Sequence, residues 1–200
     1  MLTAAAVLLI AVRIWYVNKD IGQIPVHTAQ MGEEVPVGDN VFNDDNEDMS
    51  DYSFKVTGVE FLTYEEYQEK YEYVEEEENP LFHPYDTTIP EMILDVDVTI
   101  SNINPESKQE GGIMIGNYRL YGQDFILQAP SSLIWMSNPV LKDMWRFSLR
   151  GGTSMDFHLP FGFRPNADTT PITVEDIRKQ DLYLVLSLYP EKWQVLIEGY

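Results

Sequence analysis

The chain contains no cysteine, which excludes disulfides, zinc–thiolate sites, thiol nucleophiles and a lipid-modified cysteine anchor. Basic residues are scarce as well. Thirteen Lys and Arg stand against 33 Asp and Glu, a net charge of −20 over 200 residues. That balance argues against nucleic acid, whose phosphates need a basic face, and against attraction to anionic lipid. Also missing are a Gly-x-Ser-x-Gly elbow, a Gly-x-x-x-x-Gly-Lys phosphate loop and a His-Glu-x-x-His zinc helix. The length suits one domain with an appendage and excludes two full domains. What is present is enough apolar residue, 44%, for a real core, and 12% aromatics, which suits a β-rich fold.

The acids are concentrated. Residues 33–97 hold 21 Asp and Glu against only Lys55 and Lys70, whereas the other 135 residues carry 12 acids and 11 bases. A chain-wide adaptation to salt would have spread them evenly. Two runs stand out, Asp44-Asp45-Asn46-Glu47-Asp48 and Glu75 to Glu78, and such runs read as solvated loops because like charges repel and extend a segment.

At the amino terminus Leu2 to Val12 is apolar or weakly polar, Arg13 interrupts, and Ile14-Trp15-Tyr16-Val17 resumes the run. Sixteen helical residues span about 24 Å, short of a hydrocarbon core of roughly 30 Å. Arg13 suits snorkelling, and Trp15 and Tyr16 suit the interfacial belt. The residues after Val17 are polar and offer such a helix no partner, and a cleaved signal peptide would need a basic start that is missing. Residues 1–17 are therefore expected to be a membrane anchor and 18–52 a polar acidic linker, with one short strand at Val35 to Val37. Arg13 and Lys19 by the positive-inside rule favour a cytoplasmic body. The freedom from cysteine fits a Gram-positive exterior equally, and the extracytoplasmic side is the orientation adopted.

Residues 53–200 read as a β-domain. In Met92 to Asn102, Leu94, Val96, Val98 and Ile100 alternate with Asp95, Asp97, Thr99 and Ser101, which predicts an antiparallel strand with one wet face. Gly151-Gly152 predicts a tight hairpin between Met144 to Arg150 and Thr153 to Phe163. A second hairpin is expected from Leu182 to Tyr189 through Pro190 to Trp193, Val195 and Ile197. Phe54 to Phe61, Ile113 to Tyr121 and Phe125 to Gln128 complete the strands. Thr63-x-x-Glu66 and Thr173-x-x-Asp176 are capping boxes, each with a hydrophobic staple, Leu62 with Tyr67 and Ile172 with Ile177. They predict helices over 63–75 and 174–180, the first with a Tyr64, Tyr67, Tyr71, Val74 stripe and a Glu66–Lys70 pair. The expected fold is an all-β, immunoglobulin-like antiparallel sandwich of seven to nine strands with two short helices. Its last strand should be indispensable, and a body starting at Asp51 should be self-sufficient.

The order of these motifs carries a resemblance. Gly32-Glu33-x-Val35-x-Val37-Gly38-Asp39, the Val56 to Glu60 strand, Leu94 to Asn102, Gly151-Gly152 and Leu159-Pro160-Phe161 follow one another. Over about 31–198 the chain resembles the telokin-like, immunoglobulin-fold domains of uncharacterised Gram-positive surface proteins, related in fold to a secreted mycobacterial antigen. The resemblance implies an extracytoplasmic sandwich of unknown ligand and brings no catalytic residues. The acidic segment at 43–51 and the helix at 63–75 depart from it.

Few residues point to chemistry. His27, His83 and His158 lie in unrelated places, with His158 expected on the wet face, so a histidine metal site would need three distant segments to converge. Asp95 and Asp97 share a face, which alternation explains without glycosidase chemistry. Asp44-x-Asn46-x-Asp48 matches the start of a calcium loop. Met49 then stands where glycine is required and Lys55 where the bidentate glutamate belongs, so an EF-hand is excluded and only an irregular, weak calcium site is left. No catalytic, cofactor or metal residue is assigned. The expectation is a non-catalytic, membrane-anchored binding module whose partner is a protein or wall polymer at the cell surface. The alternatives are a carboxylate-based hydrolase of wall glycans and a structural subunit of a membrane complex.

Overall fold

A computed structural model of the chain describes residues 10, 12–16, 24–42, 47–74, 89–108, 112–164 and 172–200. Nine strands form one sheet in the order β1 (Val26–Gln30), β11 (Lys192–Ile197), β10 (Leu182–Val185), β6 (Arg119–Tyr121), β7 (Ile126–Gln128), β9 (Ser154–Phe163), β4 (Met92–Asn102), β3 (Tyr52–Thr63) and β2 (Glu34–Pro36), and β5 (Ile113–Met114) pairs with β8 (Arg146–Phe147) alone. The outermost strands, β1 (Val26–Gln30) and β2 (Glu34–Pro36), are neighbours in sequence, joined only by Met31, Gly32 and Glu33. Two ends of a nine-strand sheet can meet across three residues only if the sheet rolls up. It folds at its weakest seam, where β7 (Ile126–Gln128) meets β9 (Ser154–Phe163) through the single pair Gln128–Gly162. The result is a sandwich close to a barrel, with two leaves facing each other across one core. Gly32 makes the tight crossing, at φ +84, and its N–H donates to the Val56 carbonyl on the opposite leaf at 2.8 Å.

The core-facing leaf is built on β4 (Met92–Asn102), whose bounds coincide with the predicted strand. Leu94, Val96, Val98 and Ile100 are fully buried in one core with Leu184 and Val195 from the other leaf. β3 (Tyr52–Thr63) and β9 flank β4 in antiparallel register. β10 (Leu182–Val185) and β11 (Lys192–Ile197) form the expected last hairpin, pairing Leu184 with Val195, although the first of the two stops at Val185, short of the expected Tyr189.

Several expectations give way here. The 18–52 linker supplies two sheet strands where one was expected: the strand foreseen at Val35 to Val37 forms as β2, pairs with β3 and buries Val35, and β1, not foreseen, runs parallel to β11. A polar segment escapes strand prediction when its ladder partner lies far away, because pairing stabilises it and local propensity does not. The Gly151-Gly152 turn forms, with Gly152 at φ +70, yet the strands beside it do not pair with each other. β9 pairs with β4 along ten residues, and only Arg146–Phe147 of the incoming run is a strand, β8, set against β5 (Ile113–Met114). The expected 113–121 strand is broken by a 3-10 turn at Ile115–Asn117 before β6 (Arg119–Tyr121). Both capping boxes are made, on α1 (Tyr64–Lys70) and α3 (Val174–Arg178), with Glu66 and Asp176 held below the ordinary carboxylate value by hydrogen bonds from Thr63 and Thr173. α1 stops at Lys70, short of residue 75, and Val74 is exposed.

The sequence carries no cap or stripe that announces a further helix, α2 (Ser131–Ser137). It lies on β9, and with α1 it covers the outer face of β4: Tyr67, Leu133 and Met136 enclose Ile93 there in a second, smaller cluster. That face is therefore dry at Ile93 and Asp95, not wet. Asn138, at the end of α2, substitutes for a missing strand. Its amide donates to the His158 carbonyl at 2.8 Å and accepts from the His158 N–H at 2.9 Å, satisfying backbone groups that β7 does not reach.

Of the expected 2–17 anchor, Ile10 and residues 12–16 are helical and exposed, and the rest lies outside the described residues. Among the described residues no helix is long and apolar enough to cross a membrane.

Candidate functional site

Where α1 crosses the outer face of the sheet, six polar side chains from four elements meet. Asp95 and Asp97 come from alternate positions of β4, and His158 stands directly opposite Asp97 on β9. Glu60 pairs with Asp95 from β3, and Lys70 and Tyr71 descend from the end of α1. Asp95 is completely buried. Its Oδ2 accepts from Lys70 Nζ at 2.8 Å and from the Tyr71 hydroxyl at 2.5 Å, and Lys70 also lies 3.1 Å from Glu60. His158 Nδ1 donates to Asp97 Oδ1 at 2.6 Å, and the Tyr71 ring lies edge-on to the imidazole at 4.9 Å.

The electrostatics follow from burial and partners. Burial pushes Asp95 above the ordinary carboxylate value, against the hydrogen bonds from Lys70 and Tyr71. The hydrogen bond from His158 holds Asp97 below it, despite partial burial. Burial alone would lower Lys70, but the hydrogen bond and charge of Asp95 outweigh that and hold it above its usual value. Burial and then the Asp95 charge push the Tyr71 phenol up, so it remains a donor. Asp95 Oδ1 is buried, yet no described residue gives it a hydrogen bond.

Backbone space is part of the arrangement. β3 carries a bulge between Val56 and Gly58, which sets Gly58 opposite Asp97. A Cβ at position 58 would stand 2.9 Å from Asp97 Oδ2, so glycine leaves that carboxylate room.

The cluster joins residues that sequence reasoning keeps apart. Alternation puts Asp95 and Asp97 on one wet face and His158 on another; the ladder makes them neighbours, and α1 closes over Asp95. The Glu66–Lys70 pair does not form, because Glu66 caps the helix and Lys70 turns to the buried charge. His27 is not in a linker but in β1, its ring stacked on Trp193 at 4.5 Å and its Nε2 3.0 Å from Glu191. His83 and residues 44–46 of the calcium-loop candidate lie outside the described residues. Of its neighbours, Glu47 accepts from the Phe42 N–H and from the Asn117 amide, each at 2.7 Å.

A second surface feature has no counterpart among the sequence expectations. After α2 a 3-10 turn at Pro139–Leu141 buries Leu141 and leads into a protruding loop. Val140, Met144 and Trp145 are 56%, 43% and 46% exposed there. Asp143 takes a left-handed conformation, φ +63, that turns the chain so that both side chains beyond it face out. Trp145 is seated: it meets Trp135 edge-on at 5.7 Å and lies over Gly116, where a Cβ would be 2.8 Å from its ring. Lys142, Arg146 and Arg150, three of the chain's 13 basic residues, are exposed in the same stretch. The signal was legible as a Lys-x-x-Trp-Arg run, but nothing local separated it from a buried strand.

No curated protein matches the chain. It is similar to a solved structure, an uncharacterized β-sandwich protein from Clostridium difficile 630, at a TM-score of 0.40 and 9% identity, over 88% of this chain and 97% of that one. The family model for a domain of unknown function, DUF5028, matches residues 26–193. That span opens on the first residue of β1 and ends on the second residue of β11, so it takes in the rolled sandwich up to the start of its last strand, and the chain belongs to the DUF5028 family.

Proposed function

We propose that the chain is a non-catalytic binding module held at the extracytoplasmic face of a membrane, and that the Val140–Arg146 loop is its contact surface. The observation that carries this reading is the seated Trp145, exposed beside Met144 and Val140 in a stretch with three exposed basic residues on a protein of strongly negative net charge. A rigid aromatic with apolar neighbours and an adjacent arginine has the make-up of an interaction hot spot. The three bases favour an anionic wall polymer over a neutral protein face, with attraction confined to within about one Debye length, ~10 Å, because the whole chain is strongly negative. The burial of Asp95 under α1 speaks against the alternative of a glycan hydrolase, which needs two carboxylates open to a cleft. The parallel pairing of β1 with β11 supports the finer reading of the sandwich as telokin-like and immunoglobulin-related. The apolar run at 2–17 supports the anchor.

The test is titration with poly(glycerol phosphate), followed by tryptophan fluorescence at two salt concentrations. Binding should weaken with salt, and Trp145→Ala and Arg146→Ala should each weaken it at least tenfold, Arg146→Ala with an unchanged melting temperature and Trp145→Ala with the chain still unfolding cooperatively. Binding indifferent to both substitutions, or none at all, refutes the contact surface. For topology, protease added to intact protoplasts should remove the body; protection until lysis would place it inside.

A further inference from the structure

Independently of that reading, we propose that Asp95, Asp97 and His158 form a divalent-cation site of the zinc or manganese type. Each offers one ligand atom, and the three atoms lie within 4.8 Å of one another. Tetrahedral ligands at the roughly 2.0–2.2 Å of zinc–nitrogen and zinc–oxygen bonds stand about 3.4 Å apart, so the His158–Asp97 pair, now at 2.6 Å, would open by under 1 Å while Asp95, no more than 4.8 Å away, closes in. Two carboxylates and an imidazole suit borderline cations; calcium, which takes six to eight oxygens, is a poor match.

Three further observations point to a ligand and not merely to a cluster of acids. Asp95 Oδ1 is buried without a hydrogen-bond partner among the described residues, although its twin oxygen has two. A native protein rarely leaves so costly a group bare, and a cation would satisfy it. The charges are also incomplete: three carboxylates, Asp95, Asp97 and Glu60, gather around the single ammonium of Lys70, and a divalent ion would offset the excess. Finally, there is a way in. The side chains of Asp97 and His158 are 33% and 31% exposed, and Gly58 keeps the Asp97 carboxylate uncrowded. The ion would replace the hydrogen bond between His158 and Asp97 and would tie β4, β9 and, through Asp95, α1 into one unit.

The test uses the full chain, stripped with a chelator and titrated with Zn²⁺ by calorimetry, with Co²⁺ absorption as a second readout. One equivalent of Zn²⁺ should bind and raise the melting temperature, and Co²⁺ should show ligand-field bands near one equivalent. His158→Ala and Asp97→Asn should each weaken Zn²⁺ at least tenfold and abolish the bands, while Glu191→Gln, remote from the site, should leave both unchanged. Because Asp97 and His158 are partly exposed, both variants should fold; circular dichroism of the metal-free forms checks this, and a variant that does not fold is replaced by His158→Gln or Asp97→Ser. No binding at 100 µM Zn²⁺, binding unaffected by the folded substitutions, or preference for Ca²⁺ over Zn²⁺ each overturns the proposal.

Discussion

A chain ending at Tyr189 is expected not to fold. The lost segment contains β11, which is no edge strand: β1 lies parallel on one side of it and β10 antiparallel on the other. Removing it leaves two strands with orphaned ladder groups. It also removes Val195 and Ile197, both buried, and Trp193, which packs against the core and stacks on His27. At about 1.5–3 kcal/mol for each buried side chain, the loss is on the order of 5 kcal/mol or more, comparable with the whole stability of a small domain. The structure extends the same argument to the other end, where the sequence pointed the opposite way. A body starting at Asp51 lacks β1 and β2, hence Ala29, Val35 and Val37 from the core and the connection that rolls the sheet shut. It should fail as well, whereas a body starting at Ile24 should melt like the full chain. Thermal unfolding followed by circular dichroism reads all three; a cooperative transition at the full-length temperature for either of the two shorter bodies would show that closure of the sandwich is dispensable.

The second large effect is expected at Lys70. Lys70→Met removes the ammonium bonded to Asp95 and leaves a fully buried carboxylate with the Tyr71 hydroxyl as its sole donor among the described residues. Breaking one side of a buried pair typically costs 3–5 kcal/mol; since Lys70 keeps some contact with water, about 3 kcal/mol is expected. Asp95→Asn added to Lys70→Met neutralises the stranded charge and keeps an acceptor for Tyr71, so the double variant should recover about half of the loss. Urea unfolding of the four species closes the cycle. If Lys70→Met unfolds within about 0.5 kcal/mol of the parent, or if the double variant is worse than the single, the pair does not hold α1 on the sheet.

What could be read from the sequence were the features that one short window contains. The period of two in Met92 to Asn102 places Leu94, Val96, Val98 and Ile100 inward by pleat geometry alone, and the strand has the predicted bounds. The caps at Thr63 and Thr173 link side chains and backbone three residues apart, so they form wherever the helix does. The last hairpin has its turn residues beside its strands. Tertiary structure decided the rest, because the deciding partners are distant in the chain. His158 lies 61 residues beyond Asp97, and Lys70 lies 25 before Asp95. No periodicity says which strand will lie beside β4, and so none could say that the polar half of its alternation would be roofed by α1 and α2 and hold a buried carboxylate. β1 reads as linker for the same reason: a strand of mixed polarity is made by the ladder it joins, and its ladder on β11 exists only after the sheet has rolled.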